Sequence, residues 1–202
     1  MVERTQEVQG SAQAAESEGP SLEVLVESLS STSRRERQEA ATKLAALAKS
    51  DPGSLVPYGS AVIEALGLPE AQTRWKCLDI LTLLVSYDSR TCDKAIAAAE
   101  TSLFDEESGP VRLAAMRFLC RLGSTTENRS EKTWPLIDEA IQCYHGDPEF
   151  QDMLVAVVDF SAGKLSAHVR EGLVGRMTFD ATNGRGALKR RAQQIIDNAQ
   201  AK

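Results

Sequence analysis

The stretch "TRWKCLDILTLL", residues 73–84, places an indole, a thiol and a carboxylate within five positions: Trp75, Cys77 and Asp79. On a helix, Trp75 and Asp79 are four apart and share a face. The pair is either part of a reactive site or one turn of a structural pattern. Cys77 would need a neighbouring base to act as a nucleophile, and the two histidines, His145 and His168, are far along the chain. "CYH" at 143–145 brings a thiol beside an imidazole, but a metal site needs three or four converging ligands and no second cluster completes one. The following "YHGDP" is expected to end a helix, with Gly146 as the stop signal. A last candidate is "NGRGALKRR", residues 183–191, a glycine-bearing turn into a basic helix, whose free amides could attract phosphate. Over residues 183–202, five basic side chains (Arg185, Lys189, Arg190, Arg191, Lys202) against one acid (Asp197) give a local charge of +4. The segment lacks a preceding strand and Walker spacing. Neither a metal nor a cofactor is expected.

The elements that must position these residues are helical. The 202 residues are 42% hydrophobic and 26% charged, enough for a core or a stack of small units. The net charge of −6 works against non-specific attraction to nucleic acid or anionic lipid and favours protein partners. The longest apolar run, "ILTLLV", is too short to span a bilayer, and "MVERTQEVQG" lacks a signal segment, so a soluble, cytoplasmic chain with no membrane partner is expected. Cys77, Cys92, Cys120 and Cys143 form no C-x-x-C pair and are expected to be buried, reduced thiols. Residues 1–20 have the composition of a mobile tail. Beyond Pro20, helix-length segments alternate with Pro, Gly, Asp and Ser, without sustained period-two alternation.

Five of those segments align on a polar anchor: "RQEAATKLAAL", "RWKCLDILTLL", "RLAAMRFLCRL", "QDMLVAVVDFS" and "KRRAQQIIDNA". The anchors Arg37, Arg74, Arg112, Gln151 and Lys189 are 37, 38, 39 and 38 residues apart, a repeat period. Three positions after each anchor come Ala40, Cys77, Ala115, Leu154 and Ala192; seven after come Leu44, Leu81, Leu119, Val158 and Ile196. Those columns lie on one helical face. A second helix precedes each anchored one, near 21–30, 54–67, 90–104, 131–144 and 165–178, with Pro20, Pro57 and Pro135 expected near helix starts. The units are expected at about 21–51, 52–88, 89–123, 130–163 and 164–200, within a repeat domain spanning 21–202. A two-helix unit cannot bury its stripe alone, so the units must stack.

Through "ERQEAATKLAALA", "TRWKCLDILTLLV" and "SGPVRLAAMRFLCRL", the chain resembles the HEAT repeat (armadillo-like) family. That resemblance implies an all-α, right-handed superhelix of about five helix pairs, with the anchored helices lining a concave groove. In this register the acid that such repeats place before the anchored helix has a counterpart only in Glu106, and Arg37, Arg74 and Arg112 are expected to make contacts between repeats. "WKCLD" also resembles the HEAT-like alkylpurine DNA glycosylases, which implies an alternative role for Asp79 in catalysis on alkylated DNA, with Arg185, Lys189, Arg190 and Arg191 touching nucleic acid. The leading expectation is a non-catalytic scaffold binding a protein or peptide in the groove through Trp75, Asp79, Leu83, Leu113, Arg117, Arg121, Asp152 and Phe160, with Trp75 as anchor.

Overall fold

The computed structural model describes residues 20–201. The tail expected over 1–20 lies, apart from Pro20, outside them. Unit one pairs α1 (Leu22–Ser28) with α2 (Arg34–Ser50). In unit two, a 3-10 segment (Pro52–Tyr58), α3 (Gly59–Glu64) and a second 3-10 turn (Ala65–Gly67) precede α4 (Ala71–Leu84). Unit three carries α5 (Ser89–Cys92), a 3-10 turn (Asp93–Ala95) and α6 (Ile96–Leu103) before α7 (Gly109–Gly123). Unit four pairs α8 (Glu127–Cys143) with α9 (Phe150–Ser161), and unit five pairs α10 (Ala167–Asn183) with α11 (Gly186–Gln200). Among the described residues there is no strand.

Local chemistry sets the helix starts. Side chains of Ser21, Ser33, Asp51, Asp88, Thr126 and Ser166 each accept an amide from the first turn that follows, satisfying a donor with no partner inside the helix. Thr126 starts α8 early, and so Pro135, expected near a helix start, falls inside that helix. Both Pro135 and Glu131, whose carbonyl loses its partner there, are exposed, so water meets the group that proline leaves unpaired. Pro57 likewise lies inside the 3-10 segment. After α8, Gly146 takes a positive φ of 95°, as expected of a helix stop.

Successive anchored helices, α2, α4, α7, α9 and α11, pack directly on one another, whereas contacts among the preceding helices are sparser. The anchored helices thus form one continuous layer and the preceding helices, broken in units two and three, the other. The column three after the anchor is buried in all five units, and Leu44, Leu81 and Leu119, seven after, are fully buried. Each unit therefore covers its neighbour's stripe, and together they form one continuous core.

A polar ladder runs beside this core, with partners other than the expected Glu106. Arg37 Nε donates to Glu70 Oε2 at 3.2 Å, Arg74 Nη1 lies 2.7 Å from Asp105 Oδ2, and Arg112 Nε donates to Glu149 Oε1 at 2.7 Å. Each pair joins the anchor of one unit to the segment just before the next anchored helix. The last rung is reversed: Arg191 Nη1 donates to Gln151 Oε1 at 2.6 Å. On the other layer, Arg129–Asp93 and Arg176–Asp138 are forked pairs that also link adjacent units.

Candidate functional site

The anchored layer presents a depression of about 470 Å³ between α4, α7 and α9. Its walls include Thr82 from α4, Arg117 and Arg121 from α7, and Val155, Ala156 and Asp159 from α9. Thr82 is drawn along its own helix by donating its hydroxyl to the Leu78 carbonyl. Arg121 is tethered at its tip, donating to Ser86 Oγ at 2.7 Å. Arg117 is exposed and makes no salt bridge to any described residue, and the same holds for Asp159. Val155 is 43% exposed, one of few large apolar side chains left open to solvent.

Of the expected groove residues, Arg117 and Arg121 line this depression. Trp75, Asp79, Leu83 and Leu113 lie half-buried on α4 and α7, on the same layer, and Asp152 is exposed at the start of α9. The Trp75 indole packs against the core on one side. Burial pushes the Asp79 carboxyl above its ordinary range, and nearby Lys76, Arg117 and Lys49 oppose that shift without overcoming it. Phe160 is a correction: it is fully buried and offers a partner nothing.

A turn of α9 about its own axis explains both the misplaced ring and the residues that the sequence reading missed. In α9 the buried positions are Phe150, Met153, Leu154, Ala156, Val157, Phe160 and Ser161. Val158, which the anchor spacing puts in the core column, is only half-buried. The Phe160 ring fills the room left by Gly123, where a Cβ would lie 2.8 Å from its Cε2. With Phe160 and Ala156 turned inward, Val155 and Asp159 turn out. The signal in the sequence was Phe150, Val157 and Phe160, a helical stripe one position out of step with the polar anchor Gln151.

The parts of the nucleic-acid reading are not brought together. Trp75 and Asp79 are on α4, the basic segment opens α11, and α7 and α9 stand between, a separation of roughly 30 Å at the usual 8–10 Å per helix step. Arg191 is engaged by Gln151, and Lys189 donates to the Thr182 carbonyl at 3.2 Å. Arg185 and Arg190 remain exposed.

The thiols divide. Cys77, Cys92 and Cys120 are buried, and desolvation pushes Cys77 up to about 12 and Cys92 up to about 11, which suppresses thiolate chemistry. Cys143, expected to be buried, is exposed, because it closes α8 on the helix's solvent side. The His145 ring meets Asp180 at 3.1 Å. Among the described residues, no group of three or more His, Cys, Asp or Glu could hold a metal ion, and no helix is long and apolar enough to cross a membrane.

No model of a known protein family matches the sequence, and no curated protein matches it. Solved structures do. An engineered protein superposes with a TM-score of 0.71 at 16% identity, over 89% of this chain and 79% of that one. A designed armadillo repeat protein in complex with the peptide (KR)4 gives 0.70 at 16%, over 89% and 82%. A chain of the Rix1–Rea1 pre-60S particle gives 0.54 at 12%, over 97% and 89%. At such identities the likeness establishes the fold alone, an α-solenoid of the armadillo/HEAT type.

Proposed function

We propose that this armadillo/HEAT-type stack is a non-catalytic interaction module that takes an extended segment of a protein partner across α4, α7 and α9. The observation that carries this reading is the depression in the anchored layer, where Arg117 and Asp159 have no salt-bridge partner and Val155 stands open. On the same layer Arg37, Arg74 and Arg112 are engaged in holding the stack together. Unused charges around an accessible apolar side chain suit a partner that supplies both complementary charge and surface to bury. A designed relative in fold is known with the peptide (KR)4, which supports a peptide as ligand class. The opposing reading, action on alkylated DNA through Asp79, is weakened by the distance from α4 to the basic segment of α11.

Selection from a random peptide display library on the purified chain tests this, with affinities then measured by fluorescence polarisation. Trp75→Ala and Val155→Glu are each expected to weaken the selected peptides at least about tenfold, the scale of a lost interface anchor. Trp75→Ala should also cost about 2 kcal/mol of stability, since a half-buried ring loses part of what a core ring would. Peptides that bind both variants as tightly as the original chain would overturn the reading. Release of base from alkylated duplex DNA would replace it with the enzymatic alternative.

A further inference from the structure

The charges on the anchored layer alternate helix by helix. On α4 the acid is Asp79, with Lys76 near it on the same helix; on α7 the depression is lined by Arg117 with Arg121, and on α9 by Asp159, with Asp152 exposed nearer the start of the helix. Arg117 lies near enough to Asp79 to act on its carboxyl and shares the depression with Asp159 on the other side. Neither carboxylate is held by a salt bridge among the described residues. A uniformly basic segment would therefore meet two acids and two arginines, and a uniformly acidic one the reverse.

The spacing selects a backbone as well as a charge order. Packed helices stand roughly 8–10 Å apart, so groups on α4, α7 and α9 repeat at about that interval. A polyproline II chain has three residues per turn and rises about 3.1 Å per residue. It thus returns a side chain to one face every ~9 Å. A β-strand returns one every second residue, at roughly 6.6 Å, and falls out of step.

We infer that the groove recognises a polyproline II segment of the pattern basic-x-x-acidic-x-x-basic, with the central acid on Arg117 and Arg121 and the flanking cations on Asp79 and Asp159. This rests on the peptide-binding reading above and narrows it to one charge order and one spacing. The cation toward α4 is best met by arginine, whose planar guanidinium can use both the Asp79 carboxylate and the face of Trp75, one turn away on the same side of the helix.

The test uses four fluorescein-labelled peptides and the full chain. Arg-Pro-Pro-Glu-Pro-Pro-Lys carries the matched pattern, and Glu-Pro-Pro-Lys-Pro-Pro-Glu inverts it. Arg-Pro-Glu-Pro-Lys shortens the interval, and (Lys-Arg)4 is uniformly basic. Polarisation at low salt should show the matched peptide about tenfold tighter than each of the others, from several rim pairs of modest worth. In the double variant Arg117→Glu/Arg121→Glu, with folding checked by circular dichroism, a fifth peptide, Arg-Pro-Pro-Lys-Pro-Pro-Lys, should be preferred over the matched one. Equal binding of matched and inverted peptides, or tightest binding of the uniformly basic one, overturns the inference. Library peptides lost in Val155→Glu alongside such a result would leave the groove as a peptide site and remove only the charge code. Absence of any groove-dependent peptide would remove both.

Discussion

Two carboxylates, Asp79 and Glu70, are both pushed up by burial, and the cations around each decide which way the group finally moves. Burial pushes the Asp79 carboxyl up, because its cations, Lys76, Arg117 and Lys49, are too weakly placed to compensate. The hydrogen bond from Arg37 pulls Glu70 down, outweighing its burial. The linkage signs follow. Asp79, with its folded pKa above the unfolded one, costs stability at neutral pH and stops doing so as pH falls through the folded value. Glu70, with its folded pKa depressed, contributes stability above the unfolded value and loses it as pH falls through the folded one. Asp79→Asn should therefore raise stability against urea at pH 7, by less than ~1 kcal/mol because the group is partly solvated, and the gain should shrink as pH falls through the folded value. Glu70→Gln should lower it at pH 7 by ~2 kcal/mol, leaving Arg37 a neutral partner, and that deficit should shrink on acidification. Differences from the unaltered chain that move with pH in the same direction for both variants would contradict these assignments.

At the scale of the helix, Gly123 is where three elements meet. It lies in the last turn of α7, and a Cβ there would approach Thr133 Oγ1 of α8 at 2.2 Å and Phe160 Cε2 of α9 at 2.8 Å. Gly123→Ala gains helix propensity of at most ~1 kcal/mol, but both neighbours are buried, and overpacking a filled core typically costs 1–3 kcal/mol. A net loss of ~1–2 kcal/mol in thermal or urea unfolding is expected, and an unchanged or raised midpoint would show that α9 can move freely. The same contact marks the limit of what was legible beforehand. The repeat period was visible because core columns such as Leu44, Leu81 and Leu119 recur in the sequence itself. The rotation of α9 was not, because Gln151 aligned the helix by polarity while Phe160 seats it by shape, against a glycine that lies far away in sequence. The ladder acids escaped for a related reason. Glu70, Asp105 and Glu149 stand four, seven and two residues before the anchors Arg74, Arg112 and Gln151, and only their position in space makes them equivalent.

For the molecule as a whole, stability in a stack is the sum of units and the interfaces between them, so one weakened interface can let the ends unfold separately. Arg112 is the hub between units three and four. It donates to Glu149 and to the Asp105 carbonyl at 2.9 Å, and lies 5.0 Å over the Tyr144 ring, whose hydroxyl in turn donates to the Leu103 carbonyl. Both members of the ion pair are largely buried, at 14% and 11% side-chain exposure, so removing the guanidinium strands a carboxylate away from water, at a cost of roughly 3 kcal/mol. The two tryptophans, Trp75 in α4 and Trp134 in α8, fall on opposite sides of that interface and can report on it independently, with Trp134→Phe isolating the first and Trp75→Phe the second. In an otherwise unaltered chain the two fluorescence transitions in urea should coincide. With Arg112→Ala added to each, the midpoints should separate, because the units on either side no longer share the same coupling. Coincident transitions in the presence of Arg112→Ala would mean that the apolar columns alone bind the five units into one cooperative body, with the polar ladder setting only their register.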